Sequence, residues 1–185
     1  RVDLPALQVS AGGGASGGAS DSGKKDGEPV DTATGFFYLD KTDMILSGIL
    51  PIAITRTYRT QLTNPGPFGL GTSWPYDIFL QPPPNGSPDS LIFFTPGNRQ
   101  DLFARQPDGS FVNNTSPALR GAVATVAGGV PSLRFKDGSL WRFDPAGRLI
   151  SQADRNGNVL MLIRDGQGRV TGITEPSGRQ LIMSY

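Results

Sequence analysis

Four carboxylates, Asp144, Asp154, Asp165 and Glu175, recur at alternating spacings of ten and eleven residues near the C-terminus. Ranged along one rim, they could hold a hard cation such as calcium, which takes oxygen ligands. The competing explanation is local: Asp at the start of a tight turn accepts that turn's own backbone amides, and this suits these positions better. Gly69-Leu70-Gly71-Thr72-Ser73 has the outline of a nucleophile elbow or a phosphate loop. It lacks the Gly that follows Ser in an elbow and the Lys-Ser/Thr pair of a phosphate loop. The chain has no His and no Cys, which removes the commonest general base, zinc-finger ligation and any disulfide. No catalytic, cofactor-binding or metal-binding residue is expected, and the segment is not expected to be an enzyme.

Arg56, Arg148 and Arg169 could contact a bound partner, although charges on strand surfaces more often simply face solvent. Trp74 and Trp141, with Tyr58 and Tyr76, could stack on sugar rings. Aromatic residues in strands more often pack as cross-strand pairs. The overlapping glycan-acceptor sequences Asn113-Asn114-Thr115 and Asn114-Thr115-Ser116 read as polar loop.

These residues are positioned by a chain of 185 residues with 25 Gly and 16 Pro. Both types interrupt helices and punctuate short strands, which predicts an all-β fold. The formal net charge is +1, with no run of Lys or Arg able to follow a phosphate backbone, so nucleic acid is not an expected partner. No stretch approaches the roughly 20 apolar residues of a membrane-spanning helix, and the N-terminus lacks the basic-then-apolar order of a signal peptide. Arg1 in place of Met suggests a piece cut from a longer chain.

Residues 1–26 read as a flexible linker or tail. From Ala11 to Lys25 the chain is Gly, Ala, Ser and a few charges, which cannot offset about 1–2 kcal/mol of backbone ordering entropy per residue. Residues 27–80 form an opening cap region, 81–140 a hairpin meander and 141–185 a repeat region. Runs rich in β-branched and aromatic residues predict strands at Phe36–Leu39, Ile49–Thr55, Tyr76–Leu80, Leu91–Phe94, Asp101–Phe103 and Gly109–Val112. Leu119–Val126 is strand or short helix by propensity, and its strand neighbours favour strand. Pro82-Pro83-Pro84 keeps one connection extended.

An internal repeat decides the architecture. Asp144 and Asp165, Gly147 and Gly168, Arg148 and Arg169, Asp154 and Glu175, and Gly157 and Gly178 are each 21 positions apart. Asp144-Pro145-Ala146-Gly147 places Asp, Pro and Gly where a type I turn takes them, and Asp165-Gly166-Gln167-Gly168 repeats the frame. Ten residues on, Asn156-Gly157 and Ser177-Gly178 favour tight hairpin reversals. Leu149-Ile150, Val159–Ile163, Val170–Ile173 and Leu181–Met183 fill the intervals as strands. Lone hairpins are marginal in water, so such units persist by adding edge to edge. The pattern reaches Tyr185 in mid-repeat, and further repeats are expected beyond it.

These units resemble the YD repeats of Rhs proteins. The resemblance is carried by Phe143-Asp144-Pro145-Ala146-Gly147-Arg148-Leu149 with Asp154-Arg155-Asn156-Gly157-Asn158, and by Asp165 through Arg179 in the next copy. Phe143 and Arg164 stand where the name-giving Tyr would be. Upstream, Gly27-Glu28-Pro29-Val30-Asp31-Thr32-Ala33-Thr34-Gly35 is similar to the motif that opens the Rhs shell. It is followed in order by Thr42-Asp43, Gly48-Ile49-Leu50-Pro51, Arg56-Thr57-Tyr58 and Phe68-Gly69-Leu70-Gly71-Thr72-Ser73-Trp74, with Ser73 in place of the usual Gly. The resemblance implies a β-sheet spiralling into a hollow cocoon around a C-terminal toxin, as in bacterial polymorphic toxins, including those of type VI secretion and interbacterial competition.

On that footing the expected role is structural and encapsulating, with binding through the concave sheet face. The expected partners are the rest of the shell, the enclosed toxin and secretion machinery. The expected location is secreted or at the cell surface. The alternative is an adhesin or carbohydrate-binding module built from the same hairpins.

Overall fold

The computed structural model describes residues 37–63 and 65–185. The predicted tail and the motif residues Gly27, Pro29, Val30, Thr34 and Gly35 lie outside the described residues. The fold is all-β. It opens with β1 (Tyr38–Leu46), β2 (Ile52–Arg59), β3 (Pro65–Gly66), β4 (Gly69–Leu70) and β5 (Thr72–Ser73). β1, β2 and β5 make a three-stranded antiparallel sheet, and β3 pairs with β4. Then come β6 (Phe79–Gln81), β7 (Ser90–Thr95), β8 (Arg99–Arg105), β9 (Phe111–Val112), β10 (Val123–Ala127) and β11 (Val130–Arg134). The chain continues with β12 (Leu140–Phe143), β13 (Leu149–Ala153), β14 (Val159–Arg164), β15 (Val170–Thr174) and β16 (Gln180–Ile182). From β6 to β16 every strand pairs antiparallel with the next, giving one meander of 11 strands. Among the described residues no helix is long and apolar enough to cross a membrane.

Period-two alternation sets the inner face. β7 buries Leu91 and Phe93, β12 buries Trp141 and Phe143, and β14 buries Leu160 and Leu162. Strand register lines up Leu133, Trp141, Gln152 and Leu160 as one inward row across β11 to β14. The sheet is rolled rather than flat. β7 and β12 are five strands apart, about 24 Å in a flat sheet at standard spacing, yet the Phe93 and Trp141 rings lie 6.1 Å apart. The roll is sealed by backbone hydrogen bonds: Leu80 N–H donates to Gly147 O (2.8 Å) and Leu149 N–H to Ile78 O (3.1 Å). The free edge of β6 is thereby covered by the turn that opens β13. The inner face of this turn of sheet is filled by Leu80, Phe93, Phe103, Leu133, Trp141 and Phe143, so the concave face expected to bind is core here.

Hairpin turns at 106–110, 135–139, 144–148, 154–158, 165–169 and 175–179 share one geometry. In each, the first residue's carbonyl accepts the N–H of the Gly at the fourth position, and its N–H donates to the fifth residue's carbonyl. The Gly has φ between +78° and +93° throughout. This is a type I turn closed by a left-handed Gly. Asn156-Gly157 and Ser177-Gly178 therefore do not form two-residue primed turns, because Gly supplies the only positive φ in each. Gly128 and Gly129 (φ +58° and +81°) do form one, between β10 and β11.

Several predicted strands shift, each for a local reason. Only Phe79–Leu80 of the predicted Tyr76–Leu80 is strand, because Pro75 starts a turn in which Asp77 N–H donates to Trp74 O at 3.1 Å. Leu119–Val126 divides into a 3-10 turn, Pro117–Leu119, and β10, broken where Gly121 takes φ +81°. Ile49 and Leu50 bend before β2 begins, and Gly109-Ser110 belongs to a turn. Phe36 lies outside the described residues, whereas β1 runs on to Leu46.

Gln152 is 3% exposed, and both atoms of its amide lack a hydrogen-bond partner. The position 21 residues later holds fully buried Ile173. Burying an unpaired amide costs about 1–3 kcal/mol, so Gln152→Leu should stabilise the protein by about 1–2 kcal/mol. Urea unfolding would show this as a raised midpoint at unchanged slope. An unchanged midpoint would instead assign a bound water to the amide.

Candidate functional site

The recurring carboxylates are committed to their own turns. Asp144 accepts Arg148 N–H (2.8 Å), Asp154 accepts the N–H groups of Asn156 and Asn158 (2.8 and 2.9 Å), and Asp165 accepts those of Gln167 and Arg169 (both 2.9 Å). Hydrogen bonds to the ionised form hold three of the carboxyls below the usual carboxylate range. The leading donor is the Asn158 amide for Asp154, the Arg169 guanidinium for Asp165 and the Ser177 hydroxyl for Glu175. Among the described residues no group of three or more His, Cys, Asp or Glu is placed to hold a metal ion.

Glu175 differs from its counterpart Asp154 by one methylene, and the extra length reaches another part of the chain. Its Oε1 closes the turn by accepting Arg179 N–H (3.2 Å), while Oε2 accepts Ile49 N–H (3.3 Å). Gly48 lies so close that a Cβ there would sit 2.5 Å from Oε2. Arg179 donates to Ser47 O from the same turn. Residues 47–49 are thus clamped to the repeat sheet from 126 and 132 positions away.

The remaining motif residues are dispersed. Arg56 pairs with Asp43 (Nη2 to Oδ1, 2.8 Å), and Arg169 pairs with Asp165 at 2.8 Å and stacks on the Tyr185 ring at 4.7 Å. Tyr58 packs edge-on against Phe37, and Gly71 (φ +76°) leaves no room for a Cβ beside the Tyr58 ring. Trp74, Tyr76 and Trp141 are buried, so they present no ring face to a sugar. Gly157 and Gly178 face open space, whereas Gly147 abuts the β6 backbone and Gly168 abuts the Arg148 guanidinium.

Two charged residues escaped the sequence reading. Arg164, half-buried, donates to Leu149 O (2.9 Å) and Gly168 O (2.9 Å), and burial lowers its pKa. Asp77 accepts the Trp74 indole N–H (2.8 Å) and backbone N–H (3.2 Å). Pro75, two residues before it, was the signal that could have exposed that turn. Burial raises the Asp77 carboxyl from 3.8 to about 6 against the opposing pull of these bonds and of Arg164. The folded value exceeds the unfolded one, so Asp77's contribution to stability is complete below about pH 4 and is lost as pH rises through 6. The depressed carboxylates act oppositely, their contribution vanishing as pH falls below their unfolded values. Stability should therefore peak near pH 4.5–5, about 1–2 kcal/mol above its value at pH 7.5. Urea titrations at both pH values test this, and Asp77→Asn should flatten the rise.

A cleft of about 520 Å³ opens between the 62–73 segment, β6, the β7–β8 turn and the β12–β13 turn. Ser73, Asp77, Phe79, Phe94, Asn98 and Arg148 are among its lining residues. Two family models match the chain: a domain of unknown function (DUF6531) over residues 27–103 and the RHS Repeat over residues 143–181. The second covers the 21-residue hairpins of β12 to β16 in place. The chain belongs to the Rhs/YD-repeat family. In this Rhs protein the name-giving Tyr position is filled once by buried Phe143, part of the core, and once by Arg164, which ties two turn carbonyls together. No curated protein matches the chain.

Proposed function

We propose that this Rhs chain is the sealed beginning of a β-sheet shell that encloses a C-terminal toxin for secretion or interbacterial competition, and that this segment carries out no reaction. One observation supports the reading above the others. The sheet completes a turn at the bonds between β6 and the start of β13, then continues through β14 to β16 instead of stopping as a closed barrel. A meander that passes its own starting strand is a spiral, and its first turn is packed solid, as an end wall would be. Among the described strands β16 pairs only with β15, so its other edge is free to accept further strands. The partners are then the rest of the shell, the cargo and the secretion machinery, and the location is outside the cell or at its surface. Cryo-electron microscopy of the full-length protein tests this. A hollow body whose closed end contains Trp74 and Trp141 is expected, and an extended array enclosing no space would overturn it.

A further inference from the structure

We propose that the cleft over β6 and β7 is a docking site for an extended peptide segment of a partner, one in which an apolar side chain is followed by an acidic one. The cleft lies on the outer face of the sheet. Phe79 and Phe94 are cross-strand partners and alternate with inward Leu80 and Phe93, so their half-buried rings form its floor outside the core. An apolar side chain fits such a floor.

The polar end favours an anion. Arg148 makes no ion pair among the described residues, and its guanidinium is pressed against Gly168. The neighbouring cation, Arg164, is already saturated by Leu149 O and Gly168 O. Of the nearby acids, Asp144 is bonded to a turn amide and Asp77 to Trp74. Arg148 is the group left to bind a carboxylate, for which its planar fork is suited. Ser73 supplies a second, independent observation. Its side chain is 5% exposed, its Oγ has no hydrogen-bond partner, and it lines the same cleft. Gln81 and Asn98 add side-chain amides at the rim, which both donate and accept, as an extended peptide backbone requires. An open trough buries little of a small molecule, so the fit is to a segment held by further contacts on a larger partner.

The test uses the 185-residue chain and three probes: an acetylated, amidated phenylalanine-glutamate dipeptide, its phenylalanine-glutamine counterpart, and N-acetylphenylalanine. In a two-dimensional amide NMR titration the glutamate dipeptide should shift Gly97, Asn98 and Gln81 with a dissociation constant of about 1 mM. The glutamine dipeptide should bind about tenfold more weakly, and Arg148→Gln should weaken the glutamate dipeptide equally. Equal binding of the two dipeptides, or shifts confined to other parts of the surface, would overturn the proposal whether or not the variant folds. Tighter binding of N-acetylphenylalanine than of either dipeptide would also overturn it, by assigning the cleft to a free carboxyl terminus.

Discussion

Replacing Gly147 with Ala should cost about 3–5 kcal/mol and open the roll. Gly147 has φ +78°, a conformation that charges an L-residue about 1–2 kcal/mol. An added Cβ would lie 2.5 Å from Leu80 O and 3.1 Å from Leu80 C, and backbone cannot swing aside as a side-chain end can. Relieving the overlap means separating the turn from β6, which breaks the Leu80 N–H to Gly147 O bond and uncovers the core edge at Leu80 and Phe93. Gly157 is the internal control. It has nearly the same φ, +84°, but nothing within 4 Å of its Cβ direction, so Gly157→Ala should cost only the conformational term. Gly168→Ala falls between them, because it meets the movable end of Arg148. Denaturant unfolding of the three variants separates backbone strain from close approach. Equal losses at 147 and 157 would mean that the seal contributes nothing.

Glu175→Asp should release the segment before β2 while leaving its own turn intact. Asp in the equivalent position, at 154, closes an identical turn with its shorter side chain, so the substitution keeps the turn acceptor and removes only the reach to Ile49. Hydrogen exchange at Ile49 should accelerate about tenfold, as the loss of one hydrogen bond to a charged acceptor predicts, with Gly178 unchanged. Glu175→Ala should accelerate both. Unaltered exchange at Ile49 in both variants would show that burial of Leu50 and Ile52, and not the carboxylate, holds this segment down. The clamp also explains why Gly stands at position 48, where φ makes no demand: the carboxylate occupies the space a side chain would need.

The repeat was legible because its determinants are local. An Asp or Glu that accepts amides two and four residues ahead, and a Gly that alone takes the left-handed conformation, act within five residues, and spacing reveals them. Alternation in β7, β12 and β14 was equally readable, since period two follows from backbone geometry. The turn at Trp74-Pro75-Tyr76-Asp77 was legible in principle from Pro75, but the aromatic run around it read as strand. The clamp at Glu175 was not legible, because one extra methylene at a turn carries no meaning until residues 47–49 are beside it.

By itself, the sequence determined that this protein is all-β, that its C-terminal part repeats every 21 residues, and that His- or Cys-based chemistry is absent. Only the tertiary structure decided that the sheet rolls and seals β6 to the β13 turn, that Trp74 and Trp141 are core, and that Arg148 and Ser73 meet in one cleft. The physical reason is range. Turn and strand preferences are summed over neighbours in the chain, whereas the roll depends on accumulated twist over many strands and on contacts more than 60 residues apart, such as Leu80 to Gly147.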